Sequence, residues 1–212
     1  MIKTLVVGPL DVNCYIVWEN GPAFVIDPGG DSDMIARELK KEGLSVAYII
    51  NTHGHFDHVG GDAQMKALGG TLAIHSEDAP LLGEAEDHGI LYGVKVPEQP
   101  APDELLKDGT RLQAGYITLE VLHTPGHTRG GVCFFDRKGG NLFTGDTLFA
   151  GSVGRTDFEG GSFDELMESI RKKILPLGDA VKVFPGHGPS STIGREKAAN
   201  PFIHELLGRE GQ

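Results

Sequence analysis

The stretch "NTHGHFDHVGG", residues 51–61, decides how this chain is read. Three histidines, His53, His55 and His58, fall within six residues together with Asp57. The preceding run AYIINT is apolar and β-branched, and it reads as a strand. Side chains two apart on an extended segment share a face, so His53 and His55 can grip one ion together. Asp57 and His58 come after a turn, near a helix start, and can face a second ion. Gly54 and Gly60-Gly61 let the backbone bend and approach the site closely. Imidazoles with a carboxylate suit zinc, iron or manganese alike. The bland alternative is a histidine-rich loop in solvent. Ligand types alternating after a buried strand speak against it.

Working outward, the same pattern recurs. VLHTPGHT sets His127 just past a strand and a Pro-Gly turn, VFPGHG does so for His187, and LFTGD sets Asp146 at a strand end beside Gly145. Loops at strand ends are where α/β proteins build their sites. The inventory is five histidines and two aspartates. One ion takes about four ligands, so the set fits two ions with one carboxylate bridging them.

The rest of the chain frames this site. Short apolar runs such as IKTLVVG, CYIVW, AFVIDPGG, TLAIH, ITLEVLHTPG, GVCFFD and VKVFPGHG end in turn residues and read as strands. Helices are expected over Asp33–Lys41, Asp62–Leu68 and Ser162–Leu175, the last opened by a Ser162/Glu165 capping box. Asn200-Pro201 marks the start of a final helix ending near Gly208. PEQPAPDELLKDG reads as a Pro-rich surface loop, and EAEDHGI as a polar loop that leaves His88 solvated. The fold class is mixed α/β. With 212 residues the chain is expected to form one domain spanning 1–212. A net charge of −11 argues against nucleic acid or an anionic membrane as partner. No run approaches the ~20 apolar residues of a membrane span. The N-terminal apolar run breaks at Gly8-Pro9, too early for a signal peptide. Cys14 and Cys133 sit among apolar residues and read as two buried thiols, which fits a reducing cytoplasm.

His53-x-His55-x-Asp57-His58, followed in order by His127, Asp146 and His187, resembles the metallo-β-lactamase superfamily. The likeness runs from the strands before the motif to the final PGHG. It implies an αββα sandwich with the metal site at one edge of the two sheets. It also implies that His53, His55 and His127 hold a first ion, that Asp57, His58 and His187 hold a second, and that Asp146 bridges them. Within that superfamily THGHFDHVGG, HTPGHTRGG, GDTLFAGSVGR and FPGHGP are similar to the glyoxalase II group, the hydroxyacylglutathione hydrolases, in their short bacterial form. The long form carries a C-terminal helical domain whose basic residues clasp glutathione, and this chain is expected to lack most of it. Where that group has a Lys and a Tyr near the substrate, this chain has GRTDF. Arg155, Arg195 and Lys197 are therefore the candidates for binding substrate. Arg155 has a competing structural role as the partner of Asp157 or Asp146, and Arg195 and Lys197 that of a solvated helix face.

The resemblance implies hydrolysis of a thioester, S-lactoylglutathione or a related acyl-thioester, by a metal-bound hydroxide. Two divalent ions are expected, zinc first, with iron or manganese as alternatives, and Asp57 is expected to orient the hydroxide. A small-molecule partner is implied. The rival reading is a persulfide dioxygenase, which on this fold uses one iron held by two histidines and a carboxylate; His53, His127 and Asp146 supply such a set. A β-lactamase or lactonase, a nuclease and a metal store are further alternatives. Bland readings cover the remaining residues: His75 and His123 pack or support ligands, His204 lies on the last helix, and Asp27 is a structural carboxylate behind the ligands.

Overall fold

The protein, here a computed structural model, is described over residues 1–208. Residues 209–212, the end of the expected 1–212 span, lie outside the described residues. The chain opens with strands β1 (Ile2–Val7), β2 (Val12–Val17) and β3 (Ala23–Ile26), then helix α1 (Ser32–Lys41) and β4 (Val46–Ile50). Helices α2 (Phe56–Val59) and α3 (Asp62–Ala67) lead to β5 (Thr71–His75), α4 (Ala79–Leu91) and β6 (Glu104–Leu106). Next come β7 (Arg111–Ala114), β8 (Ile117–His123), β9 (Val132–Asp136), β10 (Asn141–Gly145), β11 (Leu148–Phe149) and β12 (Ser152–Val153). Helix α5 (Phe163–Ser169), strands β13 (Lys182–Pro185) and β14 (Ser191–Thr192), and helices α6 (Ile193–Ala199) and α7 (Pro201–Gly208) complete it.

Two six-stranded sheets form. One runs β1-β2-β3-β4-β5-β6, antiparallel through β3 and parallel from there on. The other runs β14-β13-β10-β9-β8-β7, with β10 and β13 its parallel pair. The period of two along each strand sorts side chains into three cores. Tyr15, Val17, Phe24, Ile26 and Ile50 meet Leu119, Val121, Phe134 and Phe143 between the sheets. On the outer face of the first sheet, Cys14, Ile16, Val25 and Ile49 pack against Ile35, Leu39, Met65 and Leu82 of the helices. On the outer face of the second, Leu122, Cys133, Phe135 and Leu142 pack against Leu166, Ile170, Ile193 and Ile203. Layers therefore stack helix, sheet, sheet, helix, which is the expected αββα sandwich. It also explains why the strand sequences are continuously apolar: both of their faces are covered.

Three expectations need correction. The Pro-rich stretch is not all loop, because Glu104–Leu106 adds strand β6 in parallel to β5. EAEDHGI belongs to helix α4, so His88 sits on a helix. Ser162–Leu175 is not one regular helix: α5 stops at Ser169 and Ile170–Ile174 winds as a π-helical turn before a 3-10 turn over Leu175–Leu177. The capping box is half made. Ser162 Oγ accepts from Glu165 N at 3.4 Å, while the Ser162 amide donates to Gly126 O instead.

The topology gathers strand ends. The carboxyl ends of β3, β4, β8, β10 and β13 lead into Asp27, Asn51–His58, His127, Asp146 and His187. Links between the sheets fix this rim, among them Val132 N donating to Thr52 O at 2.8 Å and Asn13 N to Gly186 O at 2.7 Å. No helix among the described residues is long and apolar enough to cross a membrane.

Candidate metal centre

All seven predicted donor residues meet at this rim. Donor atoms of His53, His55 and His127 lie within 4.8 Å of one another, and so do those of Asp57, His58 and His187. His127 Nε2 is 2.9 Å from His55 Nδ1, near the roughly 3.3 Å kept by two nitrogens on one tetrahedral ion. The three rings cross at 79°, 84° and 85°, and with one donor atom of each within 4.8 Å of the others the planes leave room for a common ion. Asp146 stands between the two sets: Oδ1 is 3.5 Å from His58 Nε2, and Oδ2 is 3.6 Å from His127 Nε2 and 3.8 Å from His187 Nε2. Asp57 Oδ2 lies 3.4 Å from His187 Nε2 and 3.6 Å from His58 Nε2.

The tautomers follow from what stands behind the rings. His127 Nδ1 faces the Arg155 carbonyl at 2.7 Å, and a carbonyl only accepts, so Nδ1 carries the proton. Asp27 does the same for His58, with Oδ2 at 3.0 Å from Nδ1. Asp27 also accepts from Thr52 N and Thr52 Oγ1, each at 2.7 Å. The Thr52 hydroxyl, having given its proton to Asp27, accepts from His53 Nδ1 at 3.1 Å. One buried carboxylate thus sets His58 directly and His53 through a hydroxyl. Both rings are left with Nε2 free, and His53 Nε2, His58 Nε2 and Asp146 Oδ1 are buried without a hydrogen-bond partner among the described residues. Orphaned buried polar atoms are costly unless something else satisfies them. A cation among these lone pairs does so, and the donor set is one that divalent metals accept. Space is kept for it, since a Cβ on Gly186 would sit 2.4 Å from Asp146 Oδ1 and 2.7 Å from His58 Cε1.

Electrostatics divide the two sets. Burial, reinforced by His58, His55 and His127, holds His53 well below the usual histidine range. Burial and His127 bring His55 down to about 3. These rings stay neutral and present lone pairs. His58 behaves oppositely: burial resists its protonation, but Asp57, Asp146 and Asp27 outweigh it and push it up to about 10. Burial would raise the Asp57 carboxyl, yet His58 and His187 hold it below the usual carboxylate range. The carboxylates that keep a proton on His58 favour a metal cation there just as well.

Above the donors opens a cavity of ≈ 870 Å³, within the range of ligand sites. Apolar Leu10, Phe56, Leu81, Tyr92, Phe149 and Phe158 line it, with Arg129 and Arg155. Arg155 makes a bidentate pair with Asp157, at 3.0 and 2.8 Å, and lies 4.4 Å over the Phe158 ring. Lys197 Nζ is 2.7 Å from Asp179, and neither Lys197 nor Arg195 lines the cavity. His75 and His123 stack on each other, 4.2 Å apart and only 13° from parallel. With Glu77 they form another tight donor group, but lone pairs in parallel planes do not meet, so the rings pack rather than chelate. His88 lies on the α4 wall of the cavity. Sequence reasoning missed Asp78, which hydrogen-bonds the loops of His55 and His127, and the whole α4 wall. Its one signal was an acidic residue just before Ala79-Pro80, a helix-start pattern.

Comparison with known proteins agrees with this geometry. The hydroxyacylglutathione hydrolase GloC of Haemophilus influenzae is 35% identical over 207 residues, covering 96% of this chain and 98% of that protein. The crystal structure of BLEG-1 B3 metallo-beta-lactamase is 38% identical with a TM-score of 0.89, covering 96% of this chain and 99% of its own. That of TTHA1623 in a di-iron-bound form is 38% identical with a TM-score of 0.88, covering 94% and 99%. The Metallo-beta-lactamase superfamily profile matches residues 7–192, from the last residue of β1 to the end of β14, and so takes in every donor described above. On that match, the chain belongs to the metallo-beta-lactamase superfamily and is a metallo-hydrolase of it.

Proposed function

We propose that the protein hydrolyses thioesters of the hydroxyacylglutathione type with a pair of divalent ions. His53, His55 and His127 would hold one ion, Asp57, His58 and His187 the other, with Asp146 between. One observation carries the reading: orphaned, pre-set donors His53 Nε2, His58 Nε2 and Asp146 Oδ1 lie under an open cavity large enough for a small organic substrate. When bound, the ions supply an activated water at neutral pH and a Lewis acid for the carbonyl. Zinc is the first expectation, and the di-iron form of a relative keeps iron as an alternative.

The chain's own residues supply the rest. Asp27, Thr52 and the Arg155 carbonyl fix which nitrogen of His58, His53 and His127 is free. Asp57 stays ionised and lines the cavity, where it can accept a hydrogen bond from the attacking water and orient it. Phe158, 5.2 Å from His55 and 5.9 Å from His127, shields that side from solvent. A thiolate leaves without a proton donor, so the site needs no separate general acid. Arg155, paired with Asp157, lines the cavity and would meet a substrate carboxylate there. Free buried Cys14 and Cys133 fit a cytoplasmic setting.

The test is an assay of purified protein of measured metal content. Thiol release from S-lactoylglutathione is expected, and it disappears in His55→Ala, which loses the first ion, and in Asp146→Ala, which weakens both. Oxygen consumption with glutathione persulfide and no thiol release would reassign the protein as a dioxygenase. Turnover of a β-lactam alone would reassign it as a lactamase. Full thiol release from metal-free protein would end the reading.

A further inference from the structure

We infer that Asp78, outside every donor set, is a clamp that sets the spacing of the His53/His55/His127 triad and ties it to the substrate wall. The inference rests on the metal-binding reading above. Asp78 precedes α4, yet its carboxylate makes no capping bond to that helix. It reaches the two loops that carry the triad. Oδ2 accepts from Gly54 N at 3.0 Å and from Thr128 Oγ1 at 2.7 Å, and Oδ1 accepts from Gly130 N at 2.6 Å. Gly54 lies between His53 and His55, and Thr128 follows His127. One carboxylate, 1% exposed, therefore holds both loops from behind.

The packing explains two glycines of the motifs. A Cβ on Gly54 would lie 2.8 Å from Asp78 O and 2.6 Å from Leu81 Cβ. One on Gly130 would lie 2.5 Å from Asp78 N and 2.6 Å from Oδ1. Both positions are glycine because the start of α4 presses onto both loops, a closer cause than turn flexibility. Helix α4 in turn carries Leu81, Glu84, His88 and Leu91 of the cavity wall. The distance between His55 and His127 and the seating of that wall are thus fixed by one group. Asp78 is a positioning residue. It touches neither reacting atoms nor, in this reading, an ion. Its hydrogen bonds hold the backbone beside His53, His55 and His127 rather than the rings themselves, and the 10–100-fold loss of metal affinity seen when a ligand's own partner is removed sets the scale of the effect.

The experiment measures zinc affinity of metal-free protein by competition with a chromophoric chelator. His187→Ala removes a donor from the second set and reports the triad; His127→Ala reports the second set. Asp78→Asn is expected to weaken zinc about 10–100-fold in the first background and within about twofold in the second. Thr128→Val removes one of three donors with little change of shape, and weakens the triad alone about three- to tenfold. A purely structural role would lower the unfolding temperature and weaken both sets alike, which overturns the clamp. Unchanged affinity in both variants overturns it too. If Asp78→Asn does not fold, Thr128→Val decides. A parent protein that binds no zinc overturns the metal-centre reading together with the clamp; a parent that binds two ions while the variants behave as parent overturns the clamp alone.

Discussion

Replacing Asp27 by Asn changes one atom and removes one charge at the back of the site. Asp27 is 1% exposed with φ at 49°, and Asn tolerates that left-handed conformation as well as Asp does. The backbone is therefore left alone. In the parent, the carboxylate accepts three hydrogen bonds: from Thr52 N, Thr52 Oγ1 and His58 Nδ1. An Asn oxygen can keep the Thr52 amide, and the Thr52 hydroxyl can reverse to accept from the new NH2. In that orientation the His58 Nδ1–H would meet a donor, and only a ring protonated on Nε2, the nitrogen that faces Asp57 and Asp146, could accept from the amide. The flipped amide keeps His58 but leaves the Thr52 amide without its acceptor, and in either orientation the charge behind His58 is gone. Losing a charge-assisted bond costs about 1.5–3 kcal/mol, and losing the partner behind a ligand lowers metal affinity about 10–100-fold, or about 1.4–2.7 kcal/mol. The assay is a zinc titration of metal-free protein, where the second ion should weaken by that factor. Unfolding of metal-free protein over pH gives a further readout. In the folded parent His58 is raised from 6.5 to about 10. Its contribution to stability is present below about 6.5 and is lost as pH rises through about 10. With one of three carboxylates gone, the parent's advantage should be largest at low pH and fade across that window. An Asp27→Asn protein that binds two ions with parental affinity would refute the reasoning.

His55→Ala should keep the second ion and lose the first, whereas Asp146→Ala should weaken both, because its oxygens face both donor sets; metal-to-protein ratios after dialysis separate these outcomes. Asp62 is fully buried, with one carboxylate oxygen bonded to Asn51 and the other without a partner, and burial, opposed by the Asn51 bond, raises its carboxyl well above the usual range. An acid raised in the folded state stabilises below its unfolded pKa and loses that stability as pH climbs. Asp62→Asn should therefore become progressively more stable than the parent above about pH 4, by up to about 1.4 kcal/mol per pH unit; unfolding curves at several pH values check the sign.

The main strands, and the seven residues that gather at the rim, were legible because their signals are local. A buried strand in this sandwich has both faces covered, so AFVI and the first four residues of VCFFD are apolar throughout. These residues sit within eight positions of the ends of such strands, in glycine-rich turns. What escaped has no local signal. Helix α4 contains Gly83 and Gly89 and spreads its apolar residues around, since Ile90 and Leu91 are exposed while Leu82 and Ala85 are buried. It therefore shows no clean stripe. Strand β6 buries only Leu106 of its three residues, too short for any period. The π-helical turn after α5 keeps Ile170 and Ile174 buried, so the helical pattern in the sequence conceals the change of winding. The cation partners are equally invisible: whether Lys197 finds Asp179 or a substrate depends on where residue 179 folds. Asp78 drew no reading from the sequence, because only tertiary packing brings Gly54, Thr128 and Gly130 to it.

The centre itself is tested most directly by an anomalous-difference map from crystals of metal-loaded protein, recorded across the absorption edge of the metal it carries. Two peaks per chain are predicted, one enclosed by His53, His55 and His127 and one by Asp57, His58 and His187, with Asp146 reaching both. A map without peaks at that rim, or with its peaks beside other residues, would contradict the account.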